Sequence, residues 1–151
     1  MIVKSLDHLK SISNKIADKI SNNDCIFLIG EIGVGKTTFT RNFINYLQKK
    51  NEIKETEVLS PTFNLLYEYK IKNLKVMHYD LYRIKNGKEL DELGIFKEDF
   101  DSIKIIEWPE LVEAKVKNKL EIHLSYSDKN NERKLRLSGH GKWKDCNENK
   151  L

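Results

Sequence analysis

Residues 30–37 read Gly30-Glu31-Ile32-Gly33-Val34-Gly35-Lys36-Thr37 and fit the pattern G-x-x-x-x-G-K-[ST]. This pattern is typical of loops whose backbone N–H groups cradle phosphates. In such a loop the lysine, here Lys36, reaches the β- and γ-phosphates, and the hydroxyl of Thr37 ligates Mg²⁺. The stretch therefore predicts a site for a nucleoside triphosphate.

The sequence on either side of this glycine loop (residues 30–37) has the order that such a site requires. Asp24 to Ile29 is a short apolar run with strand-like residues, and the apolar positions from Phe39 to Leu47 recur at helical spacing. A strand, a glycine loop and a helix in this order turn backbone amides into a phosphate cradle at a helix N-terminus. We therefore predict that the nucleotide is bound by Gly30, Gly33, Val34, Gly35, Lys36, Thr37 and Thr38.

The length, composition and charge of the chain limit the class of protein to which it can belong. A chain of 151 residues with 39% hydrophobic and 33% charged residues suits one domain with a heavily solvated surface. No apolar stretch approaches the roughly 20 residues that cross a bilayer, and Met1 to Ser5 lacks a signal core, so we expect a cytoplasmic protein without membrane contact. The net charge of +4 is too modest to indicate nucleic-acid binding by itself.

The remaining periodicity predicts one α/β domain that resembles P-loop NTPases, with three layers, a mainly parallel central sheet and flanking helices. Residues 1–141 are expected to form this domain, and the polar residues 142–151 a frayed tail. The other predicted elements are a helix over Ser5–Ser21, a hairpin of strands over Phe63–Lys70 and Asn73–Tyr79, a short helix over Lys88–Leu93, a strand over Ser102–Glu107, a helix that begins at Pro109 and runs through Leu111 and Val112, and a terminal hairpin over Leu120–Tyr126 and Leu135–Ser138.

Two acidic residues end predicted strands. Val76 to Asp80 and Ile103 to Glu107 are apolar runs that each finish on a carboxylate. Because ligands of open α/β sheets bind at the carboxyl ends of the strands, Asp80 and Glu107 are candidates to hold Mg²⁺ and to orient water. An acid in this position is also often a helix cap or a turn residue, and the pattern alone does not separate these roles.

Thr62 is a third candidate. It lies in a Pro-containing loop between the glycine-loop helix and the strand that ends at Asp80, where a sensor of the γ-phosphate would sit. Its hydroxyl and amide would contact Mg²⁺ or the γ-phosphate. The alternative is a rigid turn made by Ser60 and Pro61.

Several further motifs occur in a fixed order and are more specific than the glycine loop. The sequence from Ser5 to Leu124 closely resembles the bacterial TsaE (YjeE) family of small P-loop ATPases, which are required to make threonylcarbamoyladenosine in tRNA. The resemblance is carried by residues 30–38, Ser60-Pro61-Thr62-Phe63, Tyr67-Glu68-Tyr69, His78-Tyr79-Asp80-Leu81-Tyr82-Arg83, Glu89-Leu90-Asp91-Glu92-Leu93-Gly94 and Ile106-Glu107-Trp108-Pro109-Glu110.

The resemblance implies specific roles. It implies that Thr37 and Glu107 are the magnesium ligands and that Asp80 is linked to hydrolysis. Lys36, Thr62 and Asp80 are accordingly our candidate catalytic residues. Trp108 either packs beside the nucleotide or belongs to the core, and Arg83 either neutralises phosphate or pairs with Asp91 or Glu92.

The function that we expect is Mg²⁺-dependent hydrolysis of ATP to ADP and phosphate. By resemblance, hydrolysis resets a complex of two paralogous proteins that transfers the threonylcarbamoyl group to tRNA, and contact with tRNA is indirect. Turnover by the chain alone is expected to be slow, because no arginine finger is evident near the acids. The alternatives are a P-loop kinase of a small molecule and a non-catalytic, nucleotide-dependent switch.

Overall fold

The computed structural model describes residues 1–96, 101–129 and 131–149, and within them it contains one sheet of seven strands. The strands are β1 (Ile2–Val3), β2 (Cys25–Ile29), β3 (Leu66–Ile71), β4 (Leu74–Asp80), β5 (Ser102–Glu107), β6 (Lys119–Tyr126) and β7 (Arg133–His140). The helices are α1 (Leu6–Lys19), α2 (Lys36–Lys50) and α3 (Gly87–Leu93), with 3-10 turns at Pro109–Leu111, Glu113–Lys115 and Gly141–Trp143.

The strand order is β1-β7-β6-β2-β5-β4-β3. The four central strands, β6, β2, β5 and β4, are mutually parallel, whereas β3, β7 and β1 pair antiparallel to their neighbours. The expectation of a mainly parallel sheet is therefore correct for the centre only, and the sheet as a whole is mixed. Hairpins account for β3 and β7, because the short connections from β3 to β4 and from β6 to β7 join antiparallel strands, whereas β1 pairs with the distant β7.

Two helices cover one face of the sheet. The side chain of Ser5 accepts a hydrogen bond from the amide of His8 at 3.1 Å and so caps α1. The apolar stripe of α1 and the predicted stripe of α2 are both buried, and they pack together on alternate residues of the strands, such as Leu28 and Ile105. The helices predicted on either side of β2 are confirmed.

The opposite face of the sheet carries a second apolar cluster. It contains Phe27, Tyr79 and Ile106 from the strands, Leu90 from α3, and Val112 from the segment after β5. Since neighbouring residues of a strand point to opposite faces, the two clusters form separate layers of core. The domain therefore has helix, sheet and short-helix layers.

The C-terminal segment differs from the expected frayed tail. Trp143 is only 5% exposed and belongs to the main core cluster. The Lys142 ammonium donates to the carboxylate of Asp24 at 2.6 Å and to the hydroxyl of Ser21 at 2.8 Å. The polar composition led to the wrong prediction of a frayed tail, because one buried tryptophan anchors an otherwise polar stretch. Of the predicted tail, Lys150 and Leu151 lie outside the described residues, and the division of the chain at residue 141 stays a prediction.

Replacing Trp143 tests this anchor. We expect Trp143→Ala to lower the free energy of unfolding by about 3–5 kcal/mol, because it removes a buried ring and leaves a cavity. Urea unfolding measures the change. The matched control is Lys144→Ala, the exposed neighbour, which should stay within about 0.5 kcal/mol of the parent protein. If both variants match the parent, the segment does not pack as described.

Candidate functional site

The glycine loop joins β2 to α2 by a backbone path that requires glycine. Gly30 has φ of 151°, and a Cβ atom there would lie 2.2 Å from the carbonyl oxygen of Leu124. Gly35 caps α2 with φ of 121° and offers no side-chain hydrogen bond, and the first turn of α2 contains no acidic residue. The N-terminus of α2 therefore presents backbone amides and the positive end of the helix dipole, which suit an anion.

Lys36 lies over this loop. Its ammonium donates to the carbonyl oxygens of Gly30 at 2.7 Å and Glu31 at 3.0 Å, and it lies 4.6 Å from the centroid of the Trp108 ring. Burial lowers the pKa of Lys36, and the carboxylates of Glu107, Asp80 and Glu110 act in the opposite direction. The Lys36 ammonium is thus a desolvated cation that lies near three carboxylates. From this position it can exchange its hydrogen bonds to the loop carbonyls for hydrogen bonds to oxygens of a ligand.

The two predicted acids meet at one edge of the sheet. Asp80 and Glu107 are paired residues at the ends of β4 and β5, and they are 2% and 3% exposed. The Thr37 hydroxyl, at the start of α2, donates to Oε1 of Glu107 at 3.4 Å. The structure therefore places Thr37 and Glu107 side by side, although their role as metal ligands stays a prediction.

Thr62 is tethered to Asp80. Its hydroxyl donates to Oδ2 of Asp80 at 2.7 Å and accepts from the Ser60 hydroxyl at 2.8 Å. The other oxygen, Oδ1, accepts from the amide of Tyr82 at 2.9 Å. The loop that carries Thr62 is thus fastened to Asp80, and the Asp80 carboxylate is held in one orientation.

Trp108 and Arg83 follow the two acids closely in the sequence. Trp108 has φ of 56°, which is unusual for a residue with a side chain and stores about 1–3 kcal/mol of strain. Its ring contacts the Tyr82 ring, with centroids 4.9 Å apart, and it also packs partly against the second core cluster. The Arg83 guanidinium lies 5.4 Å from the centroid of the Phe63 ring, next to the loop of Thr62.

His78 is a member of the site that sequence reasoning did not assign. Its Nε2 lies 2.9 Å from Oε1 of Glu107, and the ring is fully buried. The signal was present, since His78 and Asp80 are two residues apart on one strand and therefore lie on the same face. The pattern did not show that the ring reaches across to β5.

A cavity of about 440 Å³ opens beside the glycine loop. Its walls include Lys4 and Leu9 from the N-terminal segment, Val34 and Thr38 from the loop and α2, and Arg133 from β7. The Arg133 Nε also donates to the carbonyl of Val34 at 3.3 Å, so the second hairpin touches the loop directly. Neither the cavity nor the part played by β7 was predicted from the sequence.

The donor atoms of the site suit a hard cation. Thr37, Asp80 and Glu107 supply hydroxyl and carboxylate oxygens, the ligands that Mg²⁺ prefers. Within the described part of the chain, no group of three or more His, Cys, Asp or Glu side chains is arranged to hold a metal ion. This arrangement fits a cation that takes one or two protein ligands and completes its shell with phosphates and water.

The fold and the site define an α/β protein in which a glycine loop and a helix N-terminus face a pair of strand-end carboxylates. A family model described as "Threonylcarbamoyl adenosine biosynthesis protein TsaE" matches residues 3–135. The chain therefore belongs to the TsaE family, whose members take part in the biosynthesis of threonylcarbamoyladenosine in tRNA.

Curated relatives and a solved structure agree with this assignment. A protein of Rickettsia felis named tRNA threonylcarbamoyladenosine biosynthesis protein TsaE is 35% identical over 86% of this chain and 74% of its own length. The protein of that name from Aquifex aeolicus is 32% identical over 73% of this chain and 76% of its own length. The crystal structure of Bacillus subtilis YdiB superposes with a TM-score of 0.72 at 25% identity and covers 96% of this chain and 87% of the other.

Among the helices in residues 1–96, 101–129 and 131–149, none has the combined length and apolar content to cross a bilayer.

Substitution of Gly30 tests the backbone path of the loop. We expect Gly30→Ala to destabilise the protein by about 2–5 kcal/mol, because the new methyl group meets a backbone carbonyl and the residue must keep a positive φ. Chemical unfolding measures the change. Gly87→Ala is the control, since a Cβ atom there meets nothing within 4 Å and the residue opens α3. Equal stability of the two variants would contradict the loop geometry.

Proposed function

We propose that this protein binds Mg·ATP in the glycine loop and hydrolyses it to ADP and phosphate in support of tRNA threonylcarbamoyladenosine synthesis. One observation carries the proposal. The Thr37 hydroxyl at the start of α2 lies 3.4 Å from the Glu107 carboxylate at the end of β5, beside the buried ammonium of Lys36. A triphosphate with its metal needs an anion cradle, a cation and a carboxylate in this arrangement.

The glycine loop supplies the cradle. Phosphate oxygens would accept from the amides at the start of α2, and Lys36 would turn from the carbonyls of Gly30 and Glu31 towards the β- and γ-phosphates. The nucleoside would then lie in the cavity bounded by Leu9, Val34 and Arg133, which opens directly beside the loop.

Thr37 and Glu107 would hold the magnesium ion. Bound there, Mg²⁺ would neutralise the charge that develops on the phosphate oxygens. Glu107 is nearly fully buried and Thr37 lies in the first turn of α2, so both ligands would be preorganised. Little reorganisation is then needed when the nucleotide binds.

Asp80 would orient the attacking water. Both of its oxygens already accept hydrogen bonds, from Thr62 and from the Tyr82 amide, so the carboxylate is fixed in direction. Thr62 can leave Asp80 to contact the γ-phosphate and can return after hydrolysis. The loop would thereby change its anchor with the state of the nucleotide.

A partner would complete the site. The guanidinium of Arg41 donates to the carbonyl of Val58, Arg83 lies on the Phe63 ring, and Arg133 donates to the carbonyl of Val34. None of these contacts places a guanidinium at the acids, and P-loop enzymes without such a group turn over slowly. We expect the partner to be the two-protein threonylcarbamoyl transferase complex, with tRNA contacted indirectly. A cytoplasmic location stays a prediction.

Replacement of Asp80 separates hydrolysis from binding. We expect Asp80→Asn to lower the rate of phosphate release from ATP at least about 100-fold, which is typical of losing a general base, while Mg·ATP affinity changes less than about threefold. The asparagine oxygen can still accept from the Tyr82 amide, whereas its nitrogen can only donate to the Thr62 hydroxyl, which reverses the direction of that hydrogen bond. Single-turnover phosphate release without any acceptor measures the rate, and fluorescence titration measures the affinity.

The control is Asp91→Asn, an exposed acid on α3, which should leave both quantities unchanged. A rate for Asp80→Asn within threefold of the parent would contradict the assigned role. Phosphate transfer that requires an added alcohol or nucleoside would favour a kinase instead. Full partner function of Asp80→Asn with hydrolysis abolished would favour a pure switch.

A further inference from the structure

His78 lies at the centre of β4, between β3 and β5, where it pairs with Tyr67 and Ile105. Its side chain is on the face that packs against α1 and α2, the same face as Asp80 and Glu107. The ring reaches diagonally to the next strand, where Nε2 meets Oε1 of Glu107 at 2.9 Å.

The hydrogen bond fixes the tautomer of the ring. An ionised carboxylate only accepts hydrogen bonds, so the proton between the two groups belongs to Nε2 of His78. Nδ1 is then an acceptor, and among the described residues it has no partner although it is buried. An unsatisfied buried group of this kind costs about 1–3 kcal/mol, a penalty that an apolar side chain at position 78 would not carry. The hydrogen bond between Nε2 and Glu107 offsets this cost.

Glu107 needs this support. Its carboxylate is 3% exposed, and a buried carboxylate is stable only when donors surround it. The Thr37 hydroxyl reaches the same oxygen from 3.4 Å, the long end of the range for a hydrogen bond, whereas His78 reaches it from 2.9 Å. The hydrogen bond from His78 is therefore the shorter of the two contacts.

We infer that His78 is a positioning residue whose Nε2–H holds the Glu107 carboxylate towards Thr37 and thereby sets the divalent-cation affinity of the site. The inference rests on the proposed function. Hydrogen-bond partners of metal ligands typically contribute 10- to 100-fold to metal affinity, because they restrict the ligand to the productive rotamer. His78 acts through Glu107 and has no contact with the nucleotide in this role.

The test compares His78→Leu, His78→Asn and His78→Gln. Leucine removes the donor, asparagine keeps an amide that stops short of Glu107, and glutamine carries its amide nitrogen about as far from the backbone as Nε2. Val76→Ala is the control for stability, since Val76 is buried two residues earlier on the same face. Mn²⁺ binding to the protein–ADP complex, followed by electron paramagnetic resonance, measures cation affinity, and ADP affinity in EDTA measures nucleotide binding without metal.

We expect the Mn²⁺ dissociation constant to rise about 10- to 100-fold in His78→Leu and His78→Asn and to stay within about threefold of the parent in His78→Gln and Val76→Ala. ADP affinity in EDTA should be the same in all folded variants. If His78→Leu does not fold, the comparison of His78→Asn with His78→Gln decides.

Mn²⁺ constants within threefold of the parent in both His78→Leu and His78→Asn would overturn the inference and leave the proposed function intact. A parent protein that binds neither Mn²⁺·ADP nor Mg·ATP would overturn both.

Discussion

The parallel register of β2, β5 and β4 is the constraint on which the site depends. Leu28 pairs with Glu107, and Glu107 pairs with Asp80, so both carboxylates reach the edge of the sheet where β2 passes into the glycine loop. The N-terminus of α2 begins at the same edge and brings Lys36 and Thr37 against the acids. A slip of one residue would turn both carboxylates to the opposite face, because strand side chains alternate.

Opposite charges and hydrogen bonds together explain how so many polar groups are buried at this site. Lys36, Asp80 and Glu107 are each at most 5% exposed, and His78 is fully buried. Burial lowers the pKa of Lys36 while the carboxylates oppose that change, and hydrogen bonds from Thr62, Tyr82 and His78 orient the acids. The two carboxylates are thus held in one orientation by the protein itself, which would lower the reorganisation that nucleotide binding requires.

The glycine loop, its flanking helices and both strand-end acids could be predicted from sequence, because each rests on a local pattern or on strand ends sharing an edge. The two-residue strand β1 and the anchoring of Trp143 could not, since they depend on contacts between distant segments. The hydrogen bond from His78 to Glu107 joins two strands that are distant in sequence. Only the register of β4 and β5 brings the two residues together.

We propose that the Lys36 ammonium and the amides of the glycine loop together bind a metal-bound triphosphate. Calorimetric titration of Mg·ATP into the parent, Lys36→Ala and the exposed control Lys10→Ala tests it most directly. Loss of a charge-assisted hydrogen bond costs about 1.5–3 kcal/mol. We therefore expect the affinity for Mg·ATP to fall about 10- to 150-fold in Lys36→Ala and to stay unchanged in Lys10→Ala. Equal affinity of Lys36→Ala and the parent would contradict the claim.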